Sequence, residues 1–136
     1  MKLLMIYAHQ FAYRTAEKNL DSAPEVDENG KVTEAIIAFI HSEMEDVERE
    51  KSVLSKLVKN IKWLSGKLET KTVVLHSFAH LSESKAPPEF VQKLFDKVQK
   101  KLENTGYQVS QTPFGYFLDL DIQAPGFSLA RVFKNL

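Results

Sequence analysis

The chain of 136 residues contains no cysteine. Disulfides, thiolate nucleophiles and cysteine-based zinc sites are therefore excluded. It also carries no net charge, eighteen Lys and Arg being balanced by eighteen Asp and Glu. Nucleic-acid affinity by bulk charge rests on phosphate neutralisation, so neutrality argues against that mode, while a pocket for a single nucleotide is not excluded. No apolar run approaches the ~20 residues of a membrane span. The opening Met1-Lys2-Leu3-Leu4-Met5-Ile6-Tyr7-Ala8 is apolar, but it has one Lys ahead of it and no clear small-residue cleavage site. It reads as a first strand rather than a signal segment. There is no P-loop and no Gly-x-Gly-x-x-Gly, which leaves triphosphate and dinucleotide binding unsupported. Repeats, linkers and low-complexity tracts are missing, and the length predicts one domain, residues 1–136.

What is present has ordinary globular proportions, 43% hydrophobic and 26% charged. The first strand spans about Lys2 to Ala8 with His9 at its end, and Phe11 to Thr15 is a short second one. Residues 21–31 are polar and turn-rich, with Asn29-Gly30 as a turn signal. Val32 to Ile40 is a strand whose end, Ala35-Ile36-Ile37-Ala38-Phe39-Ile40, is nearly all apolar and so covered on both faces. Residues 43–68 read as one long helix, with Val47, Leu54, Leu57, Val58, Ile61, Leu64 and Leu68 at steps of three and four. A buried strand follows over 72–77. A second helix begins after Pro87-Pro88, with an apolar stripe of Val91, Leu94, Phe95, Val98 and Leu102 and with Gly106 beyond its end. Tyr107 to Gln111 and Phe117 to Ile122 are strands, the second alternating Leu118, Leu120 and Ile122 with Asp119 and Asp121. The tail after Pro125-Gly126 is too short to assign. Strands, helix, strand, helix, strands define an α/β fold with a mixed sheet.

Chemistry concentrates in His76-Ser77-Phe78-Ala79-His80-Leu81-Ser82, which directly follows the apolar run Thr72-Val73-Val74-Leu75. Ligands of open α/β sheets bind beyond the carboxyl ends of strands. His9, His41, His76 and His80 all fall at or just past strand ends, but their spacing matches no zinc pattern. Of these, His80 is the main functional candidate. A Ser–His–Asp triad from Ser77 or Ser82 with Asp119 or Asp121 has no nucleophile elbow to support it, and the two aspartates fit a solvated strand face. Trp63 lies off the helical stripe and reads as a helix-edge residue. Pro113-Phe114-Gly115-Tyr116-Phe117 is a shaped loop, in which Gly115 permits close backbone approach or positive φ and the aromatics can stack on a base or cap the core.

Phe78-Ala79-His80-Leu81-Ser82 after a strand, Gly106-Tyr107-Gln108-Val109 after a helix, and Thr112-Pro113-Phe114-Gly115-Tyr116 resemble the N-terminal editing domain of archaeal threonyl-tRNA synthetases. Leu3-Leu4-Met5-Ile6 and Ala38-Phe39-Ile40 are similar to the same family, so the resemblance covers nearly the whole chain in order. It implies a D-aminoacyl-tRNA deacylase-like fold: a mixed sheet with two main helices, usually a homodimer. It further implies a cytoplasmic, cofactor- and metal-independent hydrolase that removes serine wrongly esterified to the 3′ end of threonine tRNA. The chain would be part of a longer synthetase, whose other modules catalyse ligation and grip the anticodon. Ser77, Phe78 and Ala79 would line the aminoacyl pocket through backbone groups, with His80 beside them as the catalytic candidate. Tyr116 and Phe117 would lie near the terminal adenosine with Gly115 shaping their loop, and Ser42 is a further pocket residue.

The sequence departs from the family pattern at two places. Phe117-Leu118 stands where Tyr-Lys is expected, and Arg131 stands where Glu is expected. The family picture accordingly shifts weight from side chains to oriented water, with help from the 2′-hydroxyl of the terminal ribose. Two alternatives stay open: a D-aminoacyl-tRNA deacylase, and a non-catalytic tRNA-binding or dimerisation module.

Overall fold

Ten short elements make up the chain, and the computed structural model describes all residues from Met1 to Leu136. In order they are β1 (Lys2–Lys18), β2 (Asn29–His41), a 3-10 helix (Met44–Arg49), α1 (Glu50–Leu68), β3 (Thr72–Ser77), α2 (Pro88–Glu103), β4 (Gln108–Gln111), β5 (Tyr116–Gln123), a second 3-10 helix (Ser128–Ala130) and β6 (Arg131–Asn135). The sheet order is β4-β3-β2-β1-β5, with β6 also on β1. Pairings β2–β3 and β3–β4 are parallel, while β1 runs antiparallel to β2, β5 and β6. The expected α/β class with a mixed sheet and two main helices is what the chain adopts.

Four boundaries differ from expectation, each for a tertiary reason. The two short strands expected at 2–8 and 11–15 are one, β1, because its edges are bonded nearly throughout: β2 on one side, and β6 then β5 end to end on the other. Asn29-Gly30 is not a turn but the start of β2, paired with Arg14 and Tyr13. The Tyr13 ring lies over Gly30, where an added Cβ would be 2.6 Å from Tyr13 Cζ and would push the ring aside. The expected helix over 43–68 begins as a 3-10 helix. Asp46 turns inward to bond the Met1 ammonium at 3.0 Å and the Glu43 N–H at 2.7 Å, which leaves Val47 exposed rather than on the core stripe. The unassigned tail forms β6, whose pairing with Leu3 to Ile6 no local pattern announces.

Both helices cover one face of the sheet. Leu57, Ile61, Leu64, Leu94, Phe95 and Val98 pack there on Leu3, Met5, Ile36, Ala38, Val73 and Leu75. Each such side chain contributes on the order of 1.5–3 kcal/mol when fully buried. The opposite face holds a smaller core of Ala8, Phe11, Ala35, Ile37, Phe39 and Val74. Residues 35–40 thus feed both cores alternately, as their apolar run predicts. Between Ala8 and Phe11, and between Val32 and Ala35, the alternation changes phase, so that Phe11 joins the same core as Ala8. The change coincides with Glu34, whose φ of 49° is left-handed. The sheet curls there, and Phe11 of β1 comes within 6.5 Å of the His76 ring on β3 although β2 lies between them. Leu57→Ala should lower the unfolding free energy by about 2–5 kcal/mol; a urea-melt loss below about 1 kcal/mol would mean that this helix face is not a packed core.

Candidate functional site

The curl sets the start of β5 against the carboxyl ends of β2 and β3. Between them lies a cleft of about 420 Å³. Ile40 of β2 is in register with Ser77 of β3, and the Phe78 N–H donates to the Ile40 carbonyl at 2.9 Å. One wall is the segment 77–88 running into α2, and the other is the turn 113–116 with the first residues of β5, backed by Asn19 and Leu20. All eight residues singled out from the sequence line this one cleft: Ser42, Ser77, Phe78, Ala79, His80, Gly115, Tyr116 and Phe117.

Ser42 sits at the cleft's inner end, 6% exposed, and its Oγ has no hydrogen-bond partner. A buried hydroxyl left unpaired costs about 1–3 kcal/mol, so such groups in a cleft point to a ligand. Ala79 and His80 lie beyond β3, and neither backbone N–H is used by another group of the chain. They are adjacent free donors on the lining of the same cleft as that hydroxyl. The His80 ring is exposed, with Phe78 edge-on at 4.8 Å and Phe117 stacked at 6.1 Å.

Gly115 and Tyr116 do more to shape the wall than to face the cleft. Gly115 has φ 87°, and an added Cβ would lie 2.7 Å from the Ala23 Cβ. The close approach is thus to the chain itself, and the Gly115 carbonyl accepts from Asn19 N at 2.8 Å. The Tyr116 hydroxyl donates to the Pro24 carbonyl at 2.7 Å and accepts from Val26 N at 3.1 Å, clamping residues 24–26. Leu118 adds an apolar side chain to the lining, whereas Arg131 lies outside it and donates to the Pro125 carbonyl at 2.9 Å.

The four histidines have separate duties, and no three metal-ligating side chains are grouped. His9 contacts the Glu34 carboxylate at 3.1 Å. His41, not singled out from the sequence as a site residue, holds the wall. Its Nδ1 accepts from Leu81 N at 2.9 Å and its Nε2 donates to the Ser84 carbonyl at 2.6 Å. Those roles fix the neutral tautomer with the proton on Nε2. Ser82 Oγ donates to Glu43 at 2.7 Å, and Ala86 N donates to the Ser42 carbonyl at 3.0 Å, completing the staple between 41–43 and 81–86. Burial alone would raise the Glu43 carboxyl, but hydrogen bonds from the Met1 ammonium and Ser82, with Lys2 nearby, hold it down to about 2. The only hint of His41 in the sequence is a polar residue ending a wholly apolar run.

His76 is buried beneath Phe78, its Nδ1 2.9 Å from Thr112 Oγ1. Burial pushes its imidazole down to about 4, with a smaller contribution from the neighbouring His80. It supports the cleft floor as a neutral group.

The fold is that of the D-aminoacyl-tRNA deacylase-like domains. The chain superposes on the solved structure of the c-Myc DNA unwinding element binding protein with a TM-score of 0.71 at 13% identity, covering 100% of this chain and 99% of that one. Within that class the family is specific: the family model of the archaea-specific editing domain of threonyl-tRNA synthetase matches residues 1–136, and the chain belongs to that family. Similar relatives are the threonine–tRNA ligases of Pyrococcus horikoshii, 30% identical over 139 residues, and Hyperthermus butylicus, 29% identical over 141. These alignments cover 100% and 99% of this chain, but it spans only 22% and 23% of the relatives' lengths.

The His76 pKa lies below its ordinary 6.5, so the unfolded state binds more protons wherever the two differ. The neutral fold should be intact above pH ~6.5 and lose about 3 kcal/mol as pH falls to about 4. Urea melts across this window should show that slope for the wild type and a flatter one for His76→Gln. Equal slopes would remove His76 as the cause.

Proposed function

We propose that the cleft hydrolyses the ester joining serine to the 3′ end of threonine tRNA, as the proofreading part of a threonyl-tRNA synthetase. The observation that carries this reading is one cleft lined by both the unpartnered Ser42 Oγ and the residues Ala79 and His80, whose N–H groups are free. A small hydroxylated amino acid satisfies the first, and the ester carbonyl oxygen satisfies the second. Phe78 and Phe117 offer aromatic surface for the terminal adenine, on a wall that Tyr116 holds in place, and stacking tolerates the open shape of this rim.

The reaction needs little from side chains because an aminoacyl ester is already activated. The oxygen of a water adds to the ester carbonyl carbon, and the oxyanion is held by the backbone N–H pair. The bond from that carbon to the ribose 3′-oxygen then breaks. A proton from the water passes to the 3′-oxygen, leaving free serine and tRNA with an intact 3′-hydroxyl. The neighbouring 2′-hydroxyl orients the water, and positioning of this kind supplies much of the rate. His80, exposed at the rim, supports the adenosine rather than driving proton transfer. Leu118 fits this division of labour, since a mechanism run by backbone and RNA does not require a lysine there.

Selectivity follows from the second pocket. A synthetic site rejects serine weakly, because one missing methyl is worth only ~1–3 kcal/mol. A walled pocket that excludes threonine's methyl reverses the order. The acting molecule on this reading is the synthetase as a whole, a cytoplasmic dimer whose other modules grip the tRNA. Hydrolysis of D-aminoacyl esters is a second reading, favoured by the shared fold, and D- and L-seryl esters compared side by side separate the two.

The purified domain should release serine from seryl-tRNA and spare threonyl-tRNA. Absence of turnover on the serine ester with an intact 2′-hydroxyl would end the hydrolase reading. Replacing that hydroxyl by hydrogen should abolish hydrolysis, whereas His80→Ala should only reduce it; undiminished turnover of the 2′-deoxy substrate would rule out RNA assistance. Ser42→Ala should leave folding stability unchanged or slightly higher, since no bond is lost, yet lower kcat/KM for the serine ester by about tenfold. Unchanged kcat/KM would take Ser42 out of the pocket chemistry.

A further inference from the structure

Charge is distributed unevenly around the cleft. Of its twenty lining residues only Lys85 carries a permanent charge, and no carboxylate is among them. Glu83 and Glu89 lie two and four residues from Lys85 in the sequence, but neither lines the cleft, and Glu89 belongs to a separate shallow groove. Lys85 takes part in none of the chain's ion pairs.

The backbone carrying this ammonium is fixed on both sides. The Ser84 carbonyl accepts from His41 Nε2 at 2.6 Å, and Ser84 Oγ accepts from Met44 N at 3.0 Å. Ala86 N donates to the Ser42 carbonyl at 3.0 Å. An unpaired cation on an anchored backbone, facing a lining with no negative group, is placed for an anion. Four aromatic residues on the same lining, Phe78, Phe114, Tyr116 and Phe117, suit a base. The anion that adjoins a base in RNA is its 5′ phosphate.

We infer that Lys85 grips the phosphodiester 5′ of the terminal adenosine, as a positioning residue that sets affinity for the RNA end without touching the ester. The assignment rests on the ester-hydrolase reading for its substrate, though its first test does not need turnover. Binding of adenosine and of adenosine 5′-monophosphate to the intact domain should differ in the wild type, the monophosphate binding about three- to tenfold tighter. In Lys85→Met that ratio should fall to about one, and Lys85→Arg should restore it. With seryl-tRNA, Lys85→Met should raise KM by a similar factor and leave kcat unchanged. The salt dependence of log KM should also lose about 0.7 in slope, the share of one single-strand phosphate.

A monophosphate preference that survives Lys85→Met, or a loss confined to kcat, would overturn the assignment while leaving hydrolysis intact. A ratio that responds to Lys85 in a protein unable to hydrolyse the ester would sustain the phosphate grip and overturn the enzyme reading. Failure of the wild type to prefer the phosphate at all would overturn the grip.

Discussion

The left-handed turn of one residue, Glu34, is the constraint on which the arrangement of the site depends. A non-glycine residue at positive φ costs on the order of 1 kcal/mol, and here the surroundings supply it. The Glu34 carboxylate bonds the Tyr7 hydroxyl and contacts His9 at 3.1 Å, and its carbonyl accepts from Thr70 Oγ1 at 2.6 Å. The hydrogen bond to Glu34, with burial added, raises the Tyr7 phenol to about 12 and keeps it a donor. At this point the faces of β1 and β2 exchange, and the second half of β1 carries β5 round toward β3. A flat sheet of the same pairing would leave two strands, β1 and β2, between β5 and Ser77.

The cleft that results is built mainly from backbone. Its inner end offers the Ser42 hydroxyl and the N–H groups of Ala79 and His80, and its walls are held by His41, Glu43 and Tyr116 from outside. Fixed dipoles of this kind stabilise a developing oxyanion without reorganising, and they tolerate changes in neighbouring side chains. On the proposed reading, that tolerance is compatible with Leu118 and Arg131 in a chain that belongs to the editing-domain family. The single cation on the lining belongs to the loop that His41 and Ser42 hold in place, so the polar staple determines both the shape of the cleft and its charge.

Much of this was legible along the chain. Residues 35–40 and 72–77 declare a buried sheet centre by apolar content alone, and the stripes of α1 and α2 declare one covered face. The motif from His76 to Ser82 and the turn at 113–117 point to the site because strand ends and proline–glycine turns have local signatures. Other features carried no such signal. The 3-10 start of the first helix depends on an ammonium 45 residues away from Asp46. The β-strand character of Asn29-Gly30 depends on backbone pairing with Arg14 and Tyr13, and that of the tail on the opposite edge of β1.

The sequence alone therefore determined the class of fold, the helices and the central strands, because periodicity is a local property of a chain, while the residues that meet in one cleft were named mainly through the resemblance to a known family. Tertiary structure alone decided which face each strand shows beyond Glu34, that His41 and His76 serve as neutral supports, that the Ser42 hydroxyl is left without a partner, and that Lys85 is the one charge on the lining. Those outcomes depend on burial and on partners distant in sequence, which exist only once the sheet has curled.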